Sequence, residues 1–107
     1  MAMLEKELKI VEKFKQLVKR QVMVHEVRVF GSRARGDAAE DSDLDVLVVV
    51  DQLDHATEKF ISDCAWEAGF PDEIVIMPVA ITLDNLKHSP LRESAFIRTV
   101  YREGIFV

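Results

Sequence analysis

Gly31-Ser32-Arg33-Ala34-Arg35-Gly36, followed by Ser42-Asp43-Leu44-Asp45 and the apolar run Val46-Leu47-Val48-Val49-Val50, is the stretch from which both architecture and chemistry can be read. A glycine-serine turn stands ten residues ahead of an Asp-x-Asp pair, and the pair opens what reads as a buried strand. Carboxylates at i and i+2 of a strand point to the same face, so their oxygens can hold one hard cation between them. A turn that offers free backbone N–H groups at a helix start, with a serine hydroxyl and two arginines beside it, suits phosphate oxygens. Together these features point to a site for magnesium and a nucleoside triphosphate.

Two other motifs share these letters and fail on them. Gly31 and Gly36 have the spacing of a P-loop, but Asp37 and Ala38 stand where that motif needs lysine and then serine or threonine. An aspartate there would repel phosphate. Asp41, Asp43 and Asp45 imitate the first ligands of an EF-hand, but Val46 replaces its turn glycine and Gln52 its bidentate glutamate.

Outward from this stretch, Leu4, Leu8, Val11, Lys15 and Val18 fall on one helical stripe widened by Ile10, Phe14 and Leu17, which predicts a helix to about Arg20. Val24 to Phe30 alternates and then meets Gly31, as a strand ending in a turn would. Ser32 is placed to cap a short helix through Arg35. Leu44 to Val50 is apolar on both faces, the pattern of a central strand covered on both sides. From Asp54, a helix cap, Phe60, Ile61, Cys64, Ala65 and Ala68 predict a helix ended by Gly69, after which Pro71 leads into a strand. Glu73 to Ile81 is rich in Ile and Val, with Pro78 implying an edge or a bulge. Thr82 caps a short helical turn, and Ser89-Pro90 starts the last helix, whose buried side is Leu91, Ala95, Phe96, Thr99 and Val100. The fold class is therefore α/β (α+β): one small mixed sheet of about three to five strands flanked by helices.

The chain of 107 residues reads as a single domain, 1–107. Its formal net charge is −5, with pI about 5.1, which argues against a broad basic surface for nucleic acid. Cys64 is the single cysteine, so no intrachain disulfide forms, and its expected role is that of a small buried hydrophobe. Glu5, Lys6 and Glu7 near the start leave no apolar signal region, and no apolar run reaches membrane length, so a cytoplasmic protein is expected. His25, His55 and His88 are too dispersed for zinc spacing and are assigned to surface or strand-end positions. Helical spacing makes Trp66 and Tyr101 core or partner contacts rather than a base-stacking platform. Short chains with apolar helix faces tend to associate, so a homo- or hetero-oligomer is expected.

Gly-Ser, ten residues and Asp-x-Asp, with Arg35-Gly36 inside the interval, resembles the signature of the DNA polymerase beta-like nucleotidyltransferase superfamily. The short length resembles its minimal nucleotidyltransferases, and the closing segment, Ser89-Pro90-Leu91 through Arg102-Glu103-Gly104-Ile105, resembles that family's ending. Many such proteins are antitoxins paired with a small helical ribonuclease of the HEPN class, and some transfer AMP from ATP to a tyrosine of that toxin. The resemblance thus implies a Mg2+-dependent nucleotidyltransferase with ATP as substrate, a HEPN-type toxin as partner and a tyrosine hydroxyl as acceptor.

Carried onto these residues, the resemblance makes Asp43 and Asp45 the catalytic metal ligands. Gly31 lets the backbone approach the triphosphate, Ser32 bonds its β- or γ-phosphate, and Arg35 is the phosphate-binding arginine, ahead of Arg33. Ser42 is expected to orient the first aspartate through a turn hydrogen bond. Asp37, Glu40 and Asp41 are assigned to a solvated loop. Catalytic members commonly carry a third carboxylate on the later strand, where this chain has Met77, which cannot bind magnesium usefully. The nearest acids are Asp72 and Glu73, and at roughly 3.3 Å per residue Glu73 lies about 13 Å away along the strand. That departure weighs on turnover more than on nucleotide binding. It motivates a second reading, an antitoxin that neutralises its partner by binding alone; a third, a nucleotidyltransferase acting on a small molecule, shares the core chemistry but usually needs more chain for the pocket.

Overall fold

The computed structural model describes residues 5–39 and 41–107; the expectations for Leu4 and Glu40 lie outside the described residues. The apolar stripe builds helix α1, Glu5–Lys19, which buries Ile10, Val11, Phe14, Leu17 and Val18. Lys15, the polar member of that stripe, is half-buried, and its Nζ donates to the Val107 carbonyl at 3.0 Å. The chain continues through strand β1 (Val24–Phe30), helix α2 (Ser32–Arg35) and strand β2 (Leu44–Val50). Helix α3 (His55–Gly69), strand β3 (Ile76–Thr82), helix α4 (Leu83–His88), helix α5 (Ala95–Glu103) and strand β4 (Ile105–Phe106) follow.

The sheet order is β3-β2-β1-β4. Strand β1 runs antiparallel to β2 and β4, while β2 and β3 are parallel, so the sheet is mixed. Parallel neighbours need a crossover, and α3 lies in the connection. Strand β2 sits inside the sheet with helices on both faces. Leu44, Val46, Val48 and Val50 face the main core with α1 and α3, and Leu47 and Val49 face a second core with Ile97 and Val100 of α5. That two-sided cover accounts for its unbroken apolar run. Phe14 is fully buried in the main core, and truncating it to alanine would cost about 3–5 kcal/mol.

Pro78 lies in β3, an edge strand, where a missing N–H is tolerated. Asp54 caps α3 by accepting from Thr57 N at 2.7 Å, and Thr82 caps α4 by accepting from Asn85 N at 3.0 Å. Cys64 is a buried free thiol, and burial pushes its pKa up. His25, His55 and His88 are exposed. No described helix is long and apolar enough to cross a membrane.

Several local expectations need correction. Gly69 ends α3 as expected, though with right-handed helical angles, and it is Glu73, at φ 56°, that supplies the left-handed residue after the 3-10 turn Phe70–Asp72. Gly69 is needed for space, because a Cβ there would run into the Ile74 carbonyl. Pro71 belongs to that turn, and β3 starts only at Ile76. Ser89-Pro90 opens a 3-10 turn, Pro90–Glu93, while Ser94 caps α5 by accepting from Ile97 N at 3.2 Å. Trp66 is 65% exposed, so of the two expected roles, core or partner contact, the core one does not hold; its ring meets that of Phe70 at a tilt, with centroids 5.3 Å apart.

Candidate active site

Antiparallel pairing sets Phe30 opposite Asp45, so Gly31, the residue after Phe30, lies against the start of β2. Gly31 has φ 78° and ψ −161°, a conformation that side chains other than glycine's hydrogen scarcely adopt. A Cβ on Gly31 would overlap Asp45 Oδ2. The glycine therefore does two things: it turns the chain into α2 and lets a carboxylate pack directly on its backbone.

Asp43 is exposed and Asp45 is half-buried. They flank Leu44, which faces the main core, so both lie on the α5 side of the sheet. Neither carboxylate has an ion-pair partner within 4.0 Å among the described residues. Burial pushes the Asp45 pKa up, Asp43 adds to the rise by like-charge repulsion, and Arg35 opposes it. Two acceptor-only groups that repel each other on one face form a donor set suited to a hard divalent cation.

Ser32 begins α2 as its first residue, and the cap position belongs to Gly31, so the expected serine cap is not formed. The Ser32 carbonyl accepts from Gly36 N at 2.9 Å and Asp37 N at 3.1 Å, and its hydroxyl makes no hydrogen bond with the described residues. Arg35 is exposed and bonds Asp37 at 3.2 Å and Glu103 of α5 at 3.4 Å. The hydrogen bond to Asp37, its charge, and then Glu103 raise the arginine's pKa, so its charge is permanent. Reaching a phosphate would require Arg35 to leave these pairs, which solvent screens and which hold it only weakly.

Arg33 is turned the other way. Its Nη1 donates to Glu7 of α1 at 2.6 Å and its Nε to the Ser42 carbonyl at 2.8 Å, with both charged side chains almost fully buried. Ser42 therefore supports the loop through its backbone, its N–H also donating to Ala39 O at 3.0 Å. Sequence reasoning missed Glu7. Its signal was present, because Glu7, Val11, Phe14 and Val18 share one helical face, and a carboxylate on an apolar face needs a buried partner. Asp37 and Asp41 are exposed, as expected of a solvated loop.

Met77 pairs in register with Asp45 across the parallel β2–β3 ladder and is 47% exposed. It thus holds the position on the later strand adjacent to the carboxylate pair. Among the described residues, no cluster of three or more acidic, histidine or cysteine side chains is placed to hold a metal. Phe30, on the other side of Asp45, meets Phe96 of α5 edge-on at 5.3 Å between centroids.

The nucleotidyltransferase domain family model matches residues 8–102. The chain is also 32% identical over 107 residues to the protein adenylyltransferase MntA of Thermococcus cleftensis, covering 100% of this chain and 98% of that protein. This chain belongs to the nucleotidyltransferase domain family, in its MntA-like minimal branch. The fold agrees. A toxin-antitoxin crystal structure with AMP-PNP superposes with TM-score 0.62 at 20% identity, covering 96% of this chain and 72% of the other. A mutant MntA-HpeT toxin-antitoxin gives TM-score 0.60 at 17% identity, with 94% and 70% covered. The chain is therefore a nucleotidyltransferase, and the unpaired carboxylates beside the glycine turn are its candidate centre.

Proposed function

We propose that this nucleotidyltransferase moves AMP from ATP to a hydroxyl, a tyrosine of a HEPN-type toxin, and so acts as the toxin's antitoxin in the cytoplasm. The observation that carries the reading is the full-length similarity to a protein adenylyltransferase. The openness of the candidate centre supports it, since Asp43, Arg35 and Met77 are exposed and leave the approach to Asp45 clear for a protein-borne acceptor.

Asp43 and Asp45 are the residues that would hold Mg2+, which when bound supplies neutralisation of the charge that builds on the phosphoryl oxygens. The chain's own groups do the rest. The Gly31–Ser32 turn brings backbone N–H groups and a hydroxyl to the triphosphate, and Arg35 swings from Asp37 and Glu103 onto its outer oxygens. The acceptor oxygen bonds the α-phosphorus as the bond to the bridging oxygen breaks and pyrophosphate leaves. The hydroxyl proton is released to an ionised carboxylate of the pair or to water.

The test uses purified toxin, this chain, Mg2+ and ATP labelled on either the α- or the γ-phosphate. Label reaching the toxin from the α-position alone supports AMP transfer. Label from the γ-position would mean phosphoryl transfer, and label from neither would sink the reading. A second reading, neutralisation by binding alone, is favoured by Met77 standing beside Asp45. Under it, Asp43→Ala/Asp45→Ala would still neutralise the toxin in full.

A further inference from the structure

The Gly31–Ser32 turn and Asp43 belong to separate segments, joined by a surface loop of small and acidic residues that includes Asp37, Ala38, Ala39 and Asp41. Like charges at Asp37, Asp41, Asp43 and Asp45 act to spread that loop. Arg35 pairs with Asp37 at the loop's start, and Arg33 ties its far end back. Arg33, one residue past Ser32, reaches the Ser42 carbonyl at 2.8 Å, and Ser42 is the residue before Asp43. The same guanidinium is anchored to α1 through Glu7, with side-chain exposures of 9% for Arg33 and 6% for Glu7. A buried ion pair is a costly feature, and helix α1 gives up an apolar-face position to supply half of it. The geometry also needs arginine: two different acceptors are met by two nitrogens of one rigid plane, which a single ammonium does not reproduce.

We propose that Glu7, Arg33 and the Ser42 carbonyl form a clamp that sets Asp43 in register with the nucleotide turn. Arg33 is then a positioning residue of the metal site, acting through Asp43 without touching nucleotide or metal. The proposal rests on the assignment of Asp43 and Asp45 as metal ligands, and its test separates the two claims.

The variants are Arg33→Lys and the milder Glu7→Gln, which keeps a neutral hydrogen-bonding group opposite Nη1. Each is studied well below its melting temperature, with Mn2+ affinity read by electron paramagnetic resonance and amide exchange read over residues 41–45. Outer-shell partners of metal ligands typically set affinity by tenfold or more, so Arg33→Lys should weaken Mn2+ binding about tenfold and speed exchange at 41–45. Exchange in β3 should stay as in the wild type, and Glu7→Gln should fall between. A folded variant with wild-type Mn2+ affinity and wild-type exchange overturns the clamp. If Arg33→Lys does not fold, Glu7→Gln decides by the same readouts. If the wild type binds no Mn2+, the ligand assignment fails, and exchange alone decides whether the clamp orders the loop.

Discussion

Replacing Gly31 by alanine strikes the turn and the carboxylate together, and the structure separates the two costs. At φ 78° and ψ −161° the backbone sits in a region reserved for glycine, where another residue costs of order 1–3 kcal/mol. The new methyl would also overlap Asp45 Oδ2, with Asp45 Cγ at 3.3 Å and Cβ at 3.5 Å, so the carboxylate must swing away from the turn. In a chain of this size each kcal/mol lowers the melting temperature by about 4–8 °C, so Gly31→Ala should melt roughly 5–20 °C below the wild type. The second cost is visible only with metal. Mn2+ at about a hundred times its dissociation constant stabilises a folded binder by about 2.7 kcal/mol, and the variant should lose most of that gain. Calorimetric melts with and without Mn2+ read both effects. A Gly31→Ala protein that melts like the wild type and keeps the full metal-induced rise would refute the reasoning.

The remaining expectations follow from the same geometry. Because burial and Asp43 raise the Asp45 pKa, the folded state binds more protons than the unfolded state above the ordinary value of 3.8, so metal-free stability falls as pH rises through that window. Asp45→Asn should remove this dependence, and melts of the metal-free protein between acid and neutral pH check it. Met77→Asp places a third carboxylate beside Asp45, so it should tighten Mn2+ binding and raise transfer rate while lowering metal-free stability; unchanged affinity would show that the position lies out of reach. Tyr101, the single tyrosine, donates to Glu26 and lies under Arg28, 4.4 Å from the ring centroid. Burial and that carboxylate push its pKa up to about 12, so the phenolate absorbance should rise near pH 12 rather than 10. Glu26→Gln should bring the transition back down.

Central elements were legible because their burial leaves an unambiguous mark. Strand β2 is covered by α1 and α3 on one side and α5 on the other, which no alternating pattern could mimic. Pro78 pointed correctly to an edge, and Asp54 and Thr82 to helix starts, because each acts within its own few residues. Ser89 and Ser94 show the limit of that logic. Both cap a turn, and only packing decides that the α-helix begins after the second. The left-handed Glu73 carries no sequence mark at all, and β4 is too short for any periodicity.

At the candidate site, the sequence placed the glycine turn and the Asp-x-Asp pair in one motif, but the packing of Asp45 on the Gly31 backbone comes from the antiparallel register of β1 and β2. The arginines were not separable in the same way. Arg33 and Arg35 differ by the partners they find in α1 and α5, Glu7 and Glu103, which are remote in sequence. Met77 was aligned with the third-carboxylate position from the sequence, and its pairing with Asp45 follows from the β2–β3 register.

The most direct test of AMP transfer is intact-mass spectrometry of the toxin after incubation with this chain, Mg2+ and ATP, with Asp43→Ala/Asp45→Ala alongside. The account predicts a gain of one or more AMP units with the wild type, lost with the double variant. A toxin of unchanged mass that is nonetheless held in a stable complex would contradict it.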